Sequence, residues 1–403
     1  MEDFVPLYGY KDKEVQVPLV NVLPVDLVAA REHDRRNGIN LSRYGVKADV
    51  DYSKSDGSVT ILGNSVIWEL SFNFPAPSKA RFLIENLELP SGAALYLYSE
   101  DSKTVVGPII NKNINRRKYY SDLLRGKRIH LKAIVPVEEF EDFRLTIEAI
   151  IHAQDKVELR GFGDSFDCHI DIVCRGAGWQ IEKNSVCLIF LGNTTFSASG
   201  ALINNSCEDF TPYILTAFHA ADGDNPKGGN LSASEIDEVE DDWTYRFYYE
   251  SPNCTPVTEP TSWLTFQGAT VRAAWERSDF LLLELDDDII GYPDMTVAGW
   301  DRSSSAPDDC ATIHHPAADV KKFTMDGGTA IVDPSPPVGD YGHTSGDVLT
   351  VTLTSAYNGD VGETEGGTSG APWFNDDQRI IGQHLGAEDG DEDCDNTGSG
   401  FEK

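Results

Sequence analysis

Along residues 1–157, short apolar runs alternate with polar positions at a period of two. In Trp68-Glu69-Leu70-Ser71-Phe72-Asn73-Phe74 every second residue is a large hydrophobe, and Phe143, Leu145, Ile147 and Ala149 alternate with Arg144, Thr146 and Glu148. That period predicts strands with one face on a core. Pro75-Ala76-Pro77 and Pro90-Ser91-Gly92 punctuate the runs as turns, as in a β-sandwich. One helix is predicted, from about Val25 to Asn37, stopped by Gly38. Farther on, Trp243, Tyr245, Phe247 and Tyr249 alternate with Thr244, Arg246 and Tyr248. Phe280-Leu281-Leu282-Leu283-Glu284-Leu285 reads as a buried strand that ends in Asp286-Asp287-Asp288. No long helical stretch and no repeat of fixed period stands out. The pattern predicts an all-β protein.

Charge divides this all-β chain in two. Of its 403 residues, 40% are hydrophobic and 25% charged, a globular composition with a net charge of −33. Residues 1–160 carry 22 Lys and Arg against 23 Asp and Glu; residues 161–403 carry 11 against 43. So acidic a second part repels nucleic acid and anionic membranes and argues against both as partners. No apolar run approaches the roughly 18 residues a membrane-spanning helix needs. Met1-Glu2-Asp3-Phe4 opens no signal peptide. The cysteines repeat the division: Cys168, Cys174, Cys187, Cys207, Cys254, Cys310 and Cys394 all follow residue 160, and none forms a CxxC pair. Their wide, irregular spacing fits disulfides in an oxidising compartment, hence a secreted protein, better than a zinc site.

Three short motifs carry the chemistry. Gly366-Gly367-Thr368-Ser369-Gly370-Ala371-Pro372 offers a serine on a glycine-flanked loop, where its Oγ is exposed and its own N–H faces a developing oxyanion. Alone, the motif reads better as a simple turn. Pro212 to Ala220 is an apolar strand ending in Thr216-Ala217-Phe218-His219; the histidine can reach a cleft as a general base, though taken alone it reads better as a core or loop histidine. Asp279 opens the Phe280–Leu285 strand, and a buried carboxylate requires a partner: nearby backbone amides or an imidazole N–H. The order His219, Asp279, Ser369 is that of chymotrypsin-like proteases and differs from the subtilisin and α/β-hydrolase orders.

From about Gly163 to the end the chain resembles the secreted bacterial lysyl endopeptidases of the trypsin-like superfamily. Beyond the three motifs, the resemblance rests on Cys168-His169-Ile170-Asp171-Ile172-Val173-Cys174 and Gly200-Ala201-Leu202-Ile203-Asn204-Asn205. It rests also on Ala298-Gly299-Trp300-Asp301-Arg302, Ile313-His314-His315-Pro316 and Gly382-Gln383. It implies an N-terminal β-rich propeptide domain (1–157) and a two-β-barrel trypsin-like serine protease domain (161–403), with Arg160-Gly161 one candidate processing site. It implies Ser369 as nucleophile, His219 as general acid and base, Asp279 as its orienter, and the N–H groups of Gly367 and Ser369 as oxyanion hole. No cofactor and no metal are implied; the partners are protein or peptide substrates and the protein's own propeptide, in a monomer. Implied disulfides are Cys168–Cys394 and Cys174–Cys254. A third family bridge falls on Ala198 and Ala220 and is absent, and Cys187 with Cys207 is a guess outside the family frame.

Three departures stand out. Thr368 replaces the aspartate that binds a freed N-terminus in many trypsin-like enzymes, so that ion pair is unavailable. His384 and Leu385 stand in the order His-Leu where the family has Leu-His, which alters the expected substrate pocket because neighbours on a strand face opposite ways. Lys403 falls where the lysine-selecting aspartate would, so the end of the second barrel is expected to be altered or incomplete. His314-His315 is read as structural or cleft-lining, and the acidic run from Asp389 to Asp395 as a solvated loop rather than a Ca²⁺ site. The basic stretch Lys112–Lys132 is either a solvated loop or a docking surface for the acidic part. Two other functions remain open: a catalytically silent trypsin-like binding module, and an esterase with the same triad.

Overall fold

The computed structural model describes residues 16–37, 39, 41–100, 104–111, 118–154, 162–192, 194–222, 230–303, 306–325, 330–332, 348–351, 353, 362–386 and 399–402. Nine strands between Leu19 and Gln154 form one sheet. Its spine is the 24-residue strand Ser65–Glu88. The start of this strand pairs with Ser58–Leu62 and its end with Arg144–Gln154. Leu124–Pro136 runs alongside it, with a register shift between Asn73 and Ser78. Pro75-Ala76-Pro77, expected as a turn, lies in that irregularity within one continuous strand. Proline has no N–H for a ladder, and an irregularity is where none is needed. The period of two survives it: Trp68, Leu70, Phe72, Phe74, Ala80, Phe82 and Ile84 all enter one core cluster, and the rings of Phe72 and Phe82 meet at 5.2 Å.

The predicted helix is observed as Leu27–Arg36. It starts later than the pattern suggested because Asp26 caps it, accepting the N–H of Ala29 at 2.9 Å. Pro90-Ser91-Gly92 makes its turn, with Gly92 at φ +84°.

Among the described residues the second part builds two further eight-stranded sheets, one of which takes in the strand Ser42–Arg43 from the N-terminal part. In one, Val186–Phe190, Phe196–Ile203, Tyr213–Ala217 and Phe280–Leu285 form the centre. Its two outer strands, Leu264–Gln267 and Ala269–Trp275, are separated in sequence by Gly268 alone, so the sheet curls until its ends meet, as a barrel does. In the other, Cys310–His314 pairs with Lys322–Met325 and Pro372–Asn375, which pairs in turn with Ile380–Gly386. Val186, Ala201 and Leu215 of the first sheet share a core with Ala311, Ile313 and Phe374 of the second. The second part is thus all-β, two antiparallel sheets packed on a shared core.

The N-terminal sheet covers the first of these barrels. Asp122 accepts bonds from Arg246 Nε (3.0 Å), Trp263 Nε1 (2.6 Å) and Thr265 Oγ1 (2.6 Å). Burial alone would raise its pKa; Arg246 and the hydroxyl and indole donors hold it low. Arg81 reaches across to Thr244 Oγ1 at 2.7 Å. Thr244–Phe247 is therefore buried on both faces, although its alternation of aromatic and polar residues reads as a half-exposed strand. Of the basic stretch, Lys118 lies 3.5 Å from Asp242 and Arg125 3.6 Å from Glu259. Lys112, Arg116 and Arg117 are outside the described residues, as are Arg160, Gly161, Lys403 and the acidic run at 389–395.

Cys174–Cys254 is a disulfide, as the resemblance implied. Cys168 is also bridged, and its expected partner Cys394 lies outside the described residues. Cys187 and Cys207 do not pair: Cys187 points into the barrel core, and Cys207 is an exposed thiol. Ala198 and Ala220, where the family bridge is absent, are buried together in that same core.

Candidate active site

His219 stands in a single 3-10 turn, Phe218–Ala220, that stops the apolar strand Tyr213–Ala217. Asp279 precedes the Phe280–Leu285 strand and takes a left-handed conformation, φ +45°. The two strands are neighbours, with Ala217 opposite Phe280, which brings the two residues together. Asp279 is fully buried and meets both kinds of partner foreseen for it. Its Oδ1 accepts the backbone N–H of His219 at 2.7 Å, and its Oδ2 lies 2.8 Å from Nδ1 of the same imidazole. One carboxylate thus fixes both the backbone and the ring of one histidine. The other ring nitrogen, Nε2, lies 2.9 Å from Ser369 Oγ. Burial pushes the imidazole pKa down, but Asp279 outweighs it and holds the pKa above the ordinary histidine value.

Ser369 is held by its loop. The N–H of Ser199 bonds the carbonyl of Ser369 (2.9 Å), and the hydroxyl of Ser199 bonds that of Gly367 (2.8 Å). The N–H of Gly370 is bonded to His384 O at 2.9 Å. Gly367 has φ +102°, and a Cβ there would lie 2.9 Å from both Ala317 N and His315 O, so no other residue fits without displacing backbone. Among the described residues the N–H groups of Gly367 and Ser369 donate to no backbone acceptor, whereas the neighbouring N–H of Thr368 bonds Glu365 O and that of Ala371 bonds Thr368 O.

Thr368, in place of an activating aspartate, is bonded through Oγ1 to Nδ1 of His314 at 2.8 Å. Burial and the neighbouring imidazoles keep His314 well below the ordinary histidine pKa, so this contact is a neutral one. His315 holds Asp319 O through Nδ1 at 2.9 Å and gives its N–H to Ser199 Oγ. Both histidines of the His-His-Pro motif therefore brace the loop that carries Ser369. The N-terminal segment of the second part is fastened to the same loop. The N–H of Phe166 bonds Glu365 Oε1 at 3.1 Å, and His169 Nε2 lies 3.2 Å from that oxygen. Sequence reasoning missed Glu365 and Gln383, whose amide donates to the carbonyl of Asp279. Gln383 stood in a motif already noted, Gly382-Gln383, but nothing in its chemistry told of a contact 104 residues away.

His384 and Leu385, expected in the substrate pocket, are both buried in Ile380–Gly386. Leu385 packs with Val348. His384 is tied through its backbone to Gly370 and Ala371, and its ring lies 6.4 Å from that of Trp373. Burial, with His219 nearby, pushes its pKa down to about 3.

Among solved structures, the chain is similar to a Glu endopeptidase in complex with MPD. The two share 16% identity over 60% of this chain and 92% of that one, with a TM-score of 0.36. It is similar also to the active form of the Rv3671c protease from M. tuberculosis (16%, 56% and 81%, TM-score 0.33). A third likeness is to the thermostable serine protease AL20 from an extremophilic microorganism (11%, 55% and 92%, TM-score 0.35). Residues 162–401 match the family model described as "Lysyl endopeptidase, C-terminal domain", and with more than half of its length so matched this chain belongs to that family of serine endopeptidases.

Proposed function

We propose that this protein is a secreted trypsin-like serine endopeptidase, made with its N-terminal β-sheet part as a propeptide, and that Asp279, His219 and Ser369 are its catalytic triad. The observation that carries the reading is the unbroken relay Asp279 Oδ2–His219 Nδ1 and His219 Nε2–Ser369 Oγ, at 2.8 and 2.9 Å. Ser369 Oγ attacks the scissile carbonyl carbon while its proton passes to Nε2 of His219. The carbonyl oxygen, now negative, takes the N–H groups of Gly367 and Ser369, each donor of this kind being worth on the order of 10²–10³ in rate. As the C–N bond breaks, His219 returns its proton to the departing amine, leaving an acyl-enzyme on Ser369. Water, deprotonated by the same imidazole, then releases the acid and restores the serine. Asp279 keeps Nδ1–H in place and stabilises the imidazolium, consistent with the raised pKa of His219.

The contacts through Asp122, Arg81, Lys118 and Arg125 support the N-terminal part as an intramolecular partner of the enzyme. Secretion accords with the Cys174–Cys254 disulfide and with the family's habit. Among the described residues no helix is long and apolar enough to cross a membrane.

A fluorophosphonate probe tests the reading. The full chain should form an adduct on Ser369, located by mass spectrometry, that is absent in Ser369→Ala and His219→Ala. A peptide substrate should be cut by the labelled protein once limited proteolysis has removed the N-terminal part. Labelling with ester but no peptide hydrolysis would convert the enzyme to an esterase; no adduct in the folded chain would leave a binding module.

A further inference from the structure

Besides its own sheet, the N-terminal part lends one short strand to the enzyme. Ser42–Arg43 runs antiparallel to Phe196–Ser197, with Ser42 opposite Ser197 and Arg43 opposite Phe196. The pairing continues as Tyr44 N–H bonds Thr195 O at 2.8 Å, and Ser197 Oγ bonds Ser42 O at 3.4 Å. Two residues beyond Ser197 on the same strand, Ser199 grips the carbonyls of Ser369 and Gly367. Ser42 stands against that loop: a Cβ on Gly367 would lie 3.4 Å from the Cβ of Ser42.

Antiparallel pairing sets a direction. Read from Tyr44 back to Leu41, the segment approaches Ser199 and hence Ser369; read forward, it recedes. The residues that follow a scissile bond also recede from the nucleophile in the N-to-C direction. The segment therefore has the polarity of the leaving-group half of a substrate.

Its side chains are seated along the way. Leu41 packs against the core cluster that contains Ala198, Ala217 and Ala220, where small side chains replace the family's bridge. Ser42 and Tyr44 are buried, and the Tyr44 ring meets Phe190 at 4.9 Å. Arg43 lies 4.4 Å from the Phe196 ring centre and reaches back to Asp34 Oδ1 at 2.7 Å, which ties the strand to the helix Leu27–Arg36.

We infer that Leu41–Tyr44 occupies the leaving-group side of the cleft by strand addition and keeps substrates out while the N-terminal part is docked. The same edge, Thr195–Ala198, selects substrates with an aliphatic residue followed by a small one on that side. Main-chain bonds to a sheet edge supply affinity and alternate side chains supply selectivity. Tethering in one chain gives an effective concentration in the millimolar range, enough to outcompete free peptides. This inference rests on the endopeptidase reading above.

The test uses the full chain, its Leu41→Asp variant, and Arg43→Ala, which loosens the anchor while leaving Leu41 and Ser42 themselves unchanged. Three readouts are followed: hydrolysis of an internally quenched peptide, labelling of Ser369 by a small fluorophosphonate, and hydrogen exchange at the Tyr44 amide. Both variants should cleave the peptide about tenfold faster or more, with Tyr44 exchange accelerated and labelling little changed. A synthetic peptide of residues 41–45 should inhibit Leu41→Asp competitively, and its Asp-substituted analogue should not. Equal hydrolysis by all three proteins, with Ser369 labelled in each, overturns the inference and leaves the endopeptidase reading standing. Ser369 unlabelled in every folded protein overturns that reading, and the inference with it.

Discussion

Both parts of the protein have apolar cores, but the second adds a cluster of buried polar groups around one serine. The barrel of the second part centres on Ile189, Trp243 and Leu283, and the core cluster of the N-terminal sheet runs from Trp68 and Phe72 to Leu131 and Ile147. Arg81, Ser121 and Asp122, its buried or nearly buried polar groups that bond across the boundary or support those that do, lie where it meets the enzyme. In the second part, Asp279, His314, His315, Thr368, Glu363, Gln383 and His384 are all buried around one serine. Apolar packing is non-directional and stabilises through area removed from water. A buried polar network gains little net stability but fixes orientation. One part thus holds together by apolar packing and docks through a polar edge, while the other adds a polar network that fixes the orientation of His219, Asp279 and Ser369.

This contrast breaks most visibly at Asp279. Asp279→Asn should leave the fold intact and lower kcat by about 10⁴, as amide replacements of such carboxylates do. Asp279 is what raises the pKa of His219 against its burial, so the acid limb of kcat/KM should lie above pH 6.5 in the parent and move to lower pH in the variant. A pH–rate profile in which the limb stays put would remove Asp279 from its role.

At the boundary between the parts, Asp122→Ala leaves Arg246 buried and without its carboxylate. Breaking such a pair costs about 3–5 kcal/mol. Urea unfolding should show that loss, with peptide hydrolysis raised as the N-terminal part loosens. An unchanged midpoint would mean that the Asp122 contacts do not join the two parts.

A smaller effect is shared by both parts. His152, packed against Phe74 in the N-terminal sheet, is lowered to about 4 by burial, as His384 is to about 3 beside the serine loop. Both are neutral in the folded protein. As pH falls below the ordinary histidine value, the unfolded chain takes up protons that the native state refuses, so stability falls with falling pH. At pH 4.5 the His152 contribution is roughly 2–3 kcal/mol. His152→Phe should shrink the stability difference between pH 7 and pH 4.5 by about that amount, measured by urea unfolding; an equal difference in both proteins would refute it.

Much of this was legible beforehand. The period of two foretold the strand that carries Trp68 to Phe74 and the one that carries Arg144 to Ala149, because a half-buried strand writes its environment into alternate positions. It failed at Thr244–Phe247, where a second sheet covers the polar face, and at Pro75-Ala76-Pro77, where a register shift absorbs residues that elsewhere make a turn. For the candidate site, the motifs placed His219, Asp279 and Ser369, and the structure brings these three within hydrogen-bond reach. Thr368 was noted as a departure, but its neutral partner His314 was not foreseen, and Cys187 was paired with a thiol it does not meet.

By itself the sequence determined the all-β character, the break in charge and cysteine content near residue 160, and the order of the three site residues, since each is written in local pattern or composition. Only the tertiary structure decided that Glu365 receives the segment at Phe166–His169, that Gln383 reaches Asp279, and that Leu41–Tyr44 lies along the edge of the enzyme's own sheet. These contacts join residues some 100 to 200 positions apart. A contact between distant residues depends on where two backbones come to rest together, and local pattern carries no record of it.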